Sequence, residues 1–145
     1  MQPGEAPGDE LAPGVRAIDH TADAGLELSA PDLPGLFARA AVGLECLVGP
    51  AGGGDVVELT LELDAPDVAL LLAEWLRELL YLRQVRGRAL RGTSFESLSE
   101  TSLIARLATV AAPAQAVREI KGVTYHGLVV ERSGEGWRAR VIFDV

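Results

Sequence analysis

The sequence has one cysteine, Cys46, among 145 residues. No disulfide can close within the chain, and nothing favours an oxidising compartment. With only His20 and His126 beside that cysteine, zinc, which usually takes several Cys or His ligands, is a weaker reading. A GxxxxGK[ST] phosphate loop is also missing: Gly52-Gly53-Gly54 runs into Asp55 and reads as a connector. Basic charge is scarce. The formal charge is −8, and Lys121 is the only lysine, the other basic residues being arginine. Such a chain is a poor direct partner for duplex nucleic acid, because neutralising phosphates needs a basic surface. No basic segment followed by an apolar run opens the sequence, so no signal peptide is expected. The longest apolar stretches are broken by Glu74, Arg77 and Glu78, so no membrane-spanning helix is expected and the cytoplasm is the default location.

What is present is ordinary for a globular protein: 48% apolar and 23% charged residues, in a length that suits one domain with a single core. The charge is split. Residues 1–73 carry 13 acidic side chains against Arg16 and Arg39, whereas residues 74–145 carry 8 acidic and 11 basic ones. This asymmetry suggests separate surfaces for separate partners, although solvated surface charge accounts for it equally well.

Residues 1–14, rich in proline, glycine and acid, read as a mobile tail, leaving 15–145 as the folded domain. Val15–Asp19 suits a short strand, and Asp19-His20-Thr21-Ala22-Asp23 a turn. Leu26 and Leu28 alternate with polar neighbours in a second strand. Asp32 is positioned to cap a helix running to about Val48, with Pro34 in its first turn. Val57, Leu59, Leu61 and Leu63 alternate with polar residues, the clearest strand pattern in the chain. Asp67 then caps a second helix, from Val68 to Leu82, whose polar residues form one narrow stripe. Both helices are apolar around most of their circumference, which predicts a helical layer covered on more than one side. Residues 89–98 and 101–110 read as paired strands. Val123–Glu131 and Trp137–Val145 read as a C-terminal hairpin turning at 133–136. The expected class is α+β: two largely buried helices against antiparallel or mixed sheets.

The densest polar cluster is Asp19–Asp23. Its side chains can simply satisfy backbone groups in a turn. They can also begin a hard-cation site, which needs several oxygens; Asp144 and the chain-terminal carboxylate of Val145 are further anionic groups. Spacing alone does not bring Asp23 to Asp144. Cys46, in an apolar helix, is expected in the core. Arg83, Arg86, Arg88 and Arg91 form a basic cluster able to touch phosphate or an acidic partner, though a solvated loop is the first reading, and Lys121 reads as a strand-end lysine able to act as a compact point charge.

Taken in order, DHTAD at 19–23, LLLAEWLRELLYL at 70–82, KGVTYHGLVVE at 121–131 and the terminal WRARVIFDV resemble the archease family over about residues 15–145. The resemblance implies an α+β accessory protein that is not itself an enzyme. Such proteins stimulate RtcB-type RNA ligases of tRNA splicing and RNA repair by promoting GTP-dependent guanylylation of a ligase histidine. It further implies a divalent metal, calcium foremost, with magnesium or manganese as alternatives, held by Asp23, Asp144 and the Val145 carboxylate. Lys121 would take part in ligase activation, and RNA would be met only through the ligase. Three departures from the family pattern stand out. Gly122 replaces an alanine, Ala24 replaces a bulkier apolar residue, and the segment 109–116 lacks the glycine-glutamate and histidine that many members carry. Two other functions fit the residues. One is a metal-dependent phosphate-ester hydrolase using Asp23 and Asp144 with His20 as base; the other is a metal-independent, chaperone-like binding module.

Overall fold

The computed structural model describes residues 10–19, 23–114 and 118–145. Nine strands and two helices are found among them. The chain opens with β1 (Glu10–Ala12) and β2 (Val15–Asp19), joined through Pro13 and Gly14. Residues 10–14, expected within the tail, instead form β1 and its turn; residues 1–9 lie outside the described residues. Leu11 and Ala12 pack against the core, and Gly14, at φ 73°, turns the chain. A Cβ at Gly14 would lie 2.4 Å from the Ser29 carbonyl oxygen, so only glycine lets the turn approach the next strand this closely.

The strand β3 (Asp23–Ala30) leads into α1 (Leu33–Val48). Asp32 caps this helix: its Oδ1 accepts from the Gly35 amide at 2.8 Å, and Pro34 sits in the first turn, where its missing N–H costs nothing. After β4 (Val57–Asp64), Asp67 caps α2 (Val68–Gln84) in the same way, accepting from Leu70 at 2.8 Å. Asp67→Ala is expected to lower unfolding free energy by about 1 kcal/mol, read by urea denaturation, while Asp67→Asn retains most of it. The remaining strands are β5 (Arg88–Leu98), β6 (Ser102–Ala111), β7 (Gly122–Val123), β8 (Val129–Ser133) and β9 (Gly136–Asp144).

Two sheets result, and every pairing is antiparallel. The first has the order β1-β2-β3-β9, with β7 and β8 both lying along the other side of β9. The second has the order β4-β6-β5. Both helices contact both sheets: α1 touches β2, β3 and β9 on one side and β5 on the other, while α2 touches β4 and β5, then β7 and β8. This is the covered helical layer that the apolar circumference of each helix demands. Its centre is Trp75, fully buried, whose indole N–H donates to the Phe37 carbonyl at 2.9 Å. The Phe95 ring meets Phe37 edge-on and Trp75 at a tilt, joining helices to the second sheet.

The expected C-terminal hairpin is present as β8 and β9, with Ser133 opposite Gly136. Its first strand is not continuous from Val123. The chain leaves the sheet after β7, turns through Tyr125–Gly127, and rejoins as β8; Gly127 has φ 74° and the Leu128 amide bonds back to the Tyr125 carbonyl at 3.3 Å.

Candidate functional site

The strand β9 carries alternating faces. Trp137, Ala139, Val141 and Phe143 are buried toward the helices, while Arg138, Arg140 and Asp144 are exposed on the opposite face. Ile142 shares that outer face but is only 7% exposed. Gly25, across from it on β3, makes this cover close: a Cβ there would stand 2.9 Å from Ile142 Cδ1 and 2.8 Å from the Val141 carbonyl oxygen. The glycine of the DHTADAG stretch is thus a packing requirement beside the acidic end.

At the end of β9, the register sets Asp23 directly opposite Asp144 and, on the other side, Gly122 opposite the same Asp144. Directly opposed strand residues have Cβ atoms about 4.5–5.5 Å apart. The Lys121 amide donates to the Asp144 carbonyl at 2.7 Å. Three residues on, Thr124 donates to the Ile142 carbonyl through both its amide, 3.0 Å, and its hydroxyl, 3.2 Å. These bonds lace the Lys121–Thr124 segment to the end of β9. Lys121 and Asp144 are exposed, as is Val145 just beyond the strand. Four of the residues singled out from sequence, Asp23, Asp144, Val145 and Lys121, therefore lie at one end of the first sheet. His20 lies outside the described residues. Among the described residues, no group of three or more His, Cys, Asp or Glu side chains is placed to hold a metal ion.

Gly122, where the family resemblance leads one to expect alanine, meets nothing within 4 Å of a built Cβ. The departure is sterically neutral. Ala24, opposite Phe143, is fully buried, so the smaller side chain is accommodated within the core. In the segment 109–116, Thr109 is buried structural material: its hydroxyl donates to the Val57 carbonyl at 2.8 Å and accepts from Arg88 at 3.1 Å.

Two sequence readings are corrected. Cys46 is exposed, because α1 leaves the stripe Ala38–Val42–Cys46 uncovered between its two sheet contacts. The basic cluster is not a uniformly solvated loop. Arg83 is buried against Glu45 and the Pro50 carbonyl, and Arg88 is bound to Thr109 and the Asp55 carbonyl. Residues that the sequence did not mark include Thr124 and Arg77, whose guanidinium lies 4.7 Å from the centre of the Tyr125 ring.

The profile of the Archease protein family (MTH1598/TM1083) matches residues 16–145. The chain belongs to the archease family. Protein archease of Archaeoglobus fulgidus is 33% identical over 134 residues, covering 90% of this chain and 98% of that protein. Protein archease of Methanosarcina acetivorans is 30% identical over 138 residues, covering 88% and 93%. Among solved structures, Methanobacterium thermoautotrophicum protein 1598 superposes with a TM-score of 0.67 at 22% identity, covering 91% of this chain and 99% of that one. An archease and possible chaperone from Thermotoga maritima gives a TM-score of 0.64 at 23% identity, over 88% and 94%. These structures share the α+β fold of this archease.

Proposed function

We propose that this archease activates an RtcB-type RNA ligase of tRNA splicing or RNA repair, promoting the ligase's GTP-dependent guanylylation and turnover without itself becoming an enzyme. The supporting observation is the register that sets Asp23 against Asp144 beside the exposed Lys121. Like charges directly opposed across strands repel and destabilise the sheet end unless a cation offsets them. Carboxylate oxygens suit a hard divalent cation, calcium first and magnesium or manganese as alternatives. Asp23 and Asp144 would hold it, with the Val145 carboxylate as a further oxygen donor. The cation would supply a positive charge to neutralise triphosphate in the partner's site. Lys121 adds a point charge alongside, able to meet phosphate. No apolar helix long enough to cross a membrane is found among the described residues, which fits work in the cytoplasm beside a ligase.

The test is single-turnover labelling of the ligase with radiolabelled GTP, with and without this protein. Faster labelling of the ligase alone is expected, and stimulation should fall when residues are appended after Val145. Label on this chain would support the hydrolase-type reading instead. The Thermotoga relative's description as a possible chaperone favours a second reading, a metal-independent binding module. Calorimetric titration with calcium, magnesium and manganese separates the two: absence of binding leaves only the module.

A further inference from the structure

The second sheet has two edges, and they are treated differently. On β4 the exposed positions include Glu58, Glu62 and Asp64, the charged protection typical of an unpaired edge. Along β5, beside α1, the edge instead borders an apolar groove of about 730 Å³, lined by Ala38, Val42 and Cys46 from the helix and by Leu90, Arg91 and Thr93 from the strand. The helical residues are spaced four apart and form one stripe; Val42 is 45% exposed.

The strand's hydrogen-bonding phase can be followed along this edge. The Ala112 amide bonds to the Gly87 carbonyl, so Leu90, opposite Thr109, falls at a position that turns its backbone groups away from β6. Its amide is met there by Glu45 Oε1 at 2.9 Å, a carboxylate oxygen standing where a neighbouring strand's carbonyl would be. After the register shift between Leu90 and Gly92, Thr93 pairs with Leu107 and repeats the outward phase. The Thr93 hydroxyl is buried and has no hydrogen-bond partner among the described residues. A buried polar atom left unpaired calls for an explanation, and because Thr93 also lines the groove, a partner's acceptor is one that would supply the missing bond.

We propose that this groove receives an extended segment of a partner protein, added to the β5 edge as a fourth strand and packed against α1. A helix beside an open strand edge provides main-chain hydrogen bonds on one wall and apolar pockets for alternate side chains on the other. Because Glu45 already serves Leu90, the added strand pairs from Thr93 onward and places an acceptor at the Thr93 hydroxyl. Charge selects the segment's flanks. Glu45 is committed to Arg83 and Leu90. Arg91 is exposed at the rim, so the uncommitted charge is positive and favours aspartate or glutamate beside aliphatic residues. The groove shares no residue with the acidic end of the first sheet, so the proposal is independent of the RNA-ligase reading.

The single cysteine supplies the readout. A phage-displayed random decapeptide library is panned on the full chain and counter-selected on the Val42→Asp protein. Enriched peptides are expected to alternate valine or isoleucine with polar residues and to carry acidic flanks. The tightest one, synthesised, should slow alkylation of Cys46 by N-ethylmaleimide by about tenfold or more. Val42→Asp, at an exposed position, should weaken binding about tenfold with an unchanged melting temperature, Thr93→Val should weaken it several-fold, and Arg91→Glu should reverse the preference to lysine flanks. Enrichment that is indifferent to Val42→Asp, or peptides that bind without protecting Cys46, would overturn the proposal. So would a concentration-dependent dimer that shields Cys46 without peptide, which would assign the groove to a second copy of this chain.

Discussion

Glu45→Ala is expected to cost about 3–5 kcal/mol of unfolding free energy, the range for leaving one partner of a buried ion pair uncompensated. Arg83 and Glu45 side chains are 7% and 18% exposed, and their closest approach is 2.5 Å. The removed carboxylate also holds the Leu90 amide, while the Pro50 carbonyl still accepts from Arg83 at 2.6 Å, which places the loss toward the lower end. One side chain thus ties α1 to the end of α2 and the start of β5. Replacing both partners together should cost less than the sum of the single losses, because no buried charge then remains.

The same residue sets a pH dependence. Burial raises the Glu45 carboxyl above its ordinary value of 4.5, opposed by the Leu90 amide and by Arg83. The native state therefore holds this proton more tightly than the unfolded chain does. Its contribution to stability is fullest below pH 4.5 and is lost as pH rises through the raised value. The difference in unfolding free energy between the unsubstituted protein and Glu45→Gln should shift against the unsubstituted protein over that window and level off above it. A difference that moved in the opposite direction, followed by urea denaturation across the window, would show that pairing with Arg83 outweighs burial.

The second large effect concerns activity. The Asp23→Ala, Asp144→Ala double variant should lose ligase stimulation on the order of 10–100-fold, comparable to the loss when groups organising a metal site are removed. Its fold should hold, because Asp144 is exposed and surface truncations shift stability by less than about 0.5 kcal/mol. Melting temperature should even rise slightly in the absence of divalent ions, since opposed like charges are relieved. The measurement is again single-turnover labelling of the ligase, with thermal melts alongside and calcium titrated into both proteins. Undiminished stimulation by the double variant would remove the cation from the mechanism and leave docking alone.

Much of the fold was legible because its signals are local. Asp32 and Asp67 mark both helix starts, and the alternation of Val57–Leu63 marks β4. The features that escaped depend on what lies across from each residue. Pro13-Gly14 is a turn signal, but it sits in a composition that reads as tail; only the packing of Leu11 and Ala12 makes β1 a strand. Cys46 looked like core because Ala38, Val42 and Cys46 are as apolar as the faces of α1 that are covered, so periodicity names no solvent side. Arg83 looked solvated because its partner, Glu45, is on another helix. The break after β7 begins at Thr124, within a run of strand-forming residues, and Gly127, with its positive φ, sits at the close of the turn that follows. The site is the sharpest case. Asp23 and Asp144 each stand out in sequence, but their register partnership comes from pairing between strands at opposite ends of the chain.

That pairing also orders events during synthesis. β5 and β6 form a local hairpin, and β4, made before α2, joins the far side of β6, so the second sheet can close before β9 exists. The first sheet cannot close until β9, the last element, is made, because β9 joins β3 on one side to β7 and β8 on the other. Until then β1, β2 and β3 form at most an isolated meander, and the helix faces that will meet β9 stay bare. Such long-range closure is slow relative to hairpin formation. A nascent chain halted before Gly136 would thus hold both helices and one finished sheet, expose a sticky apolar face, and possess no acidic end at all.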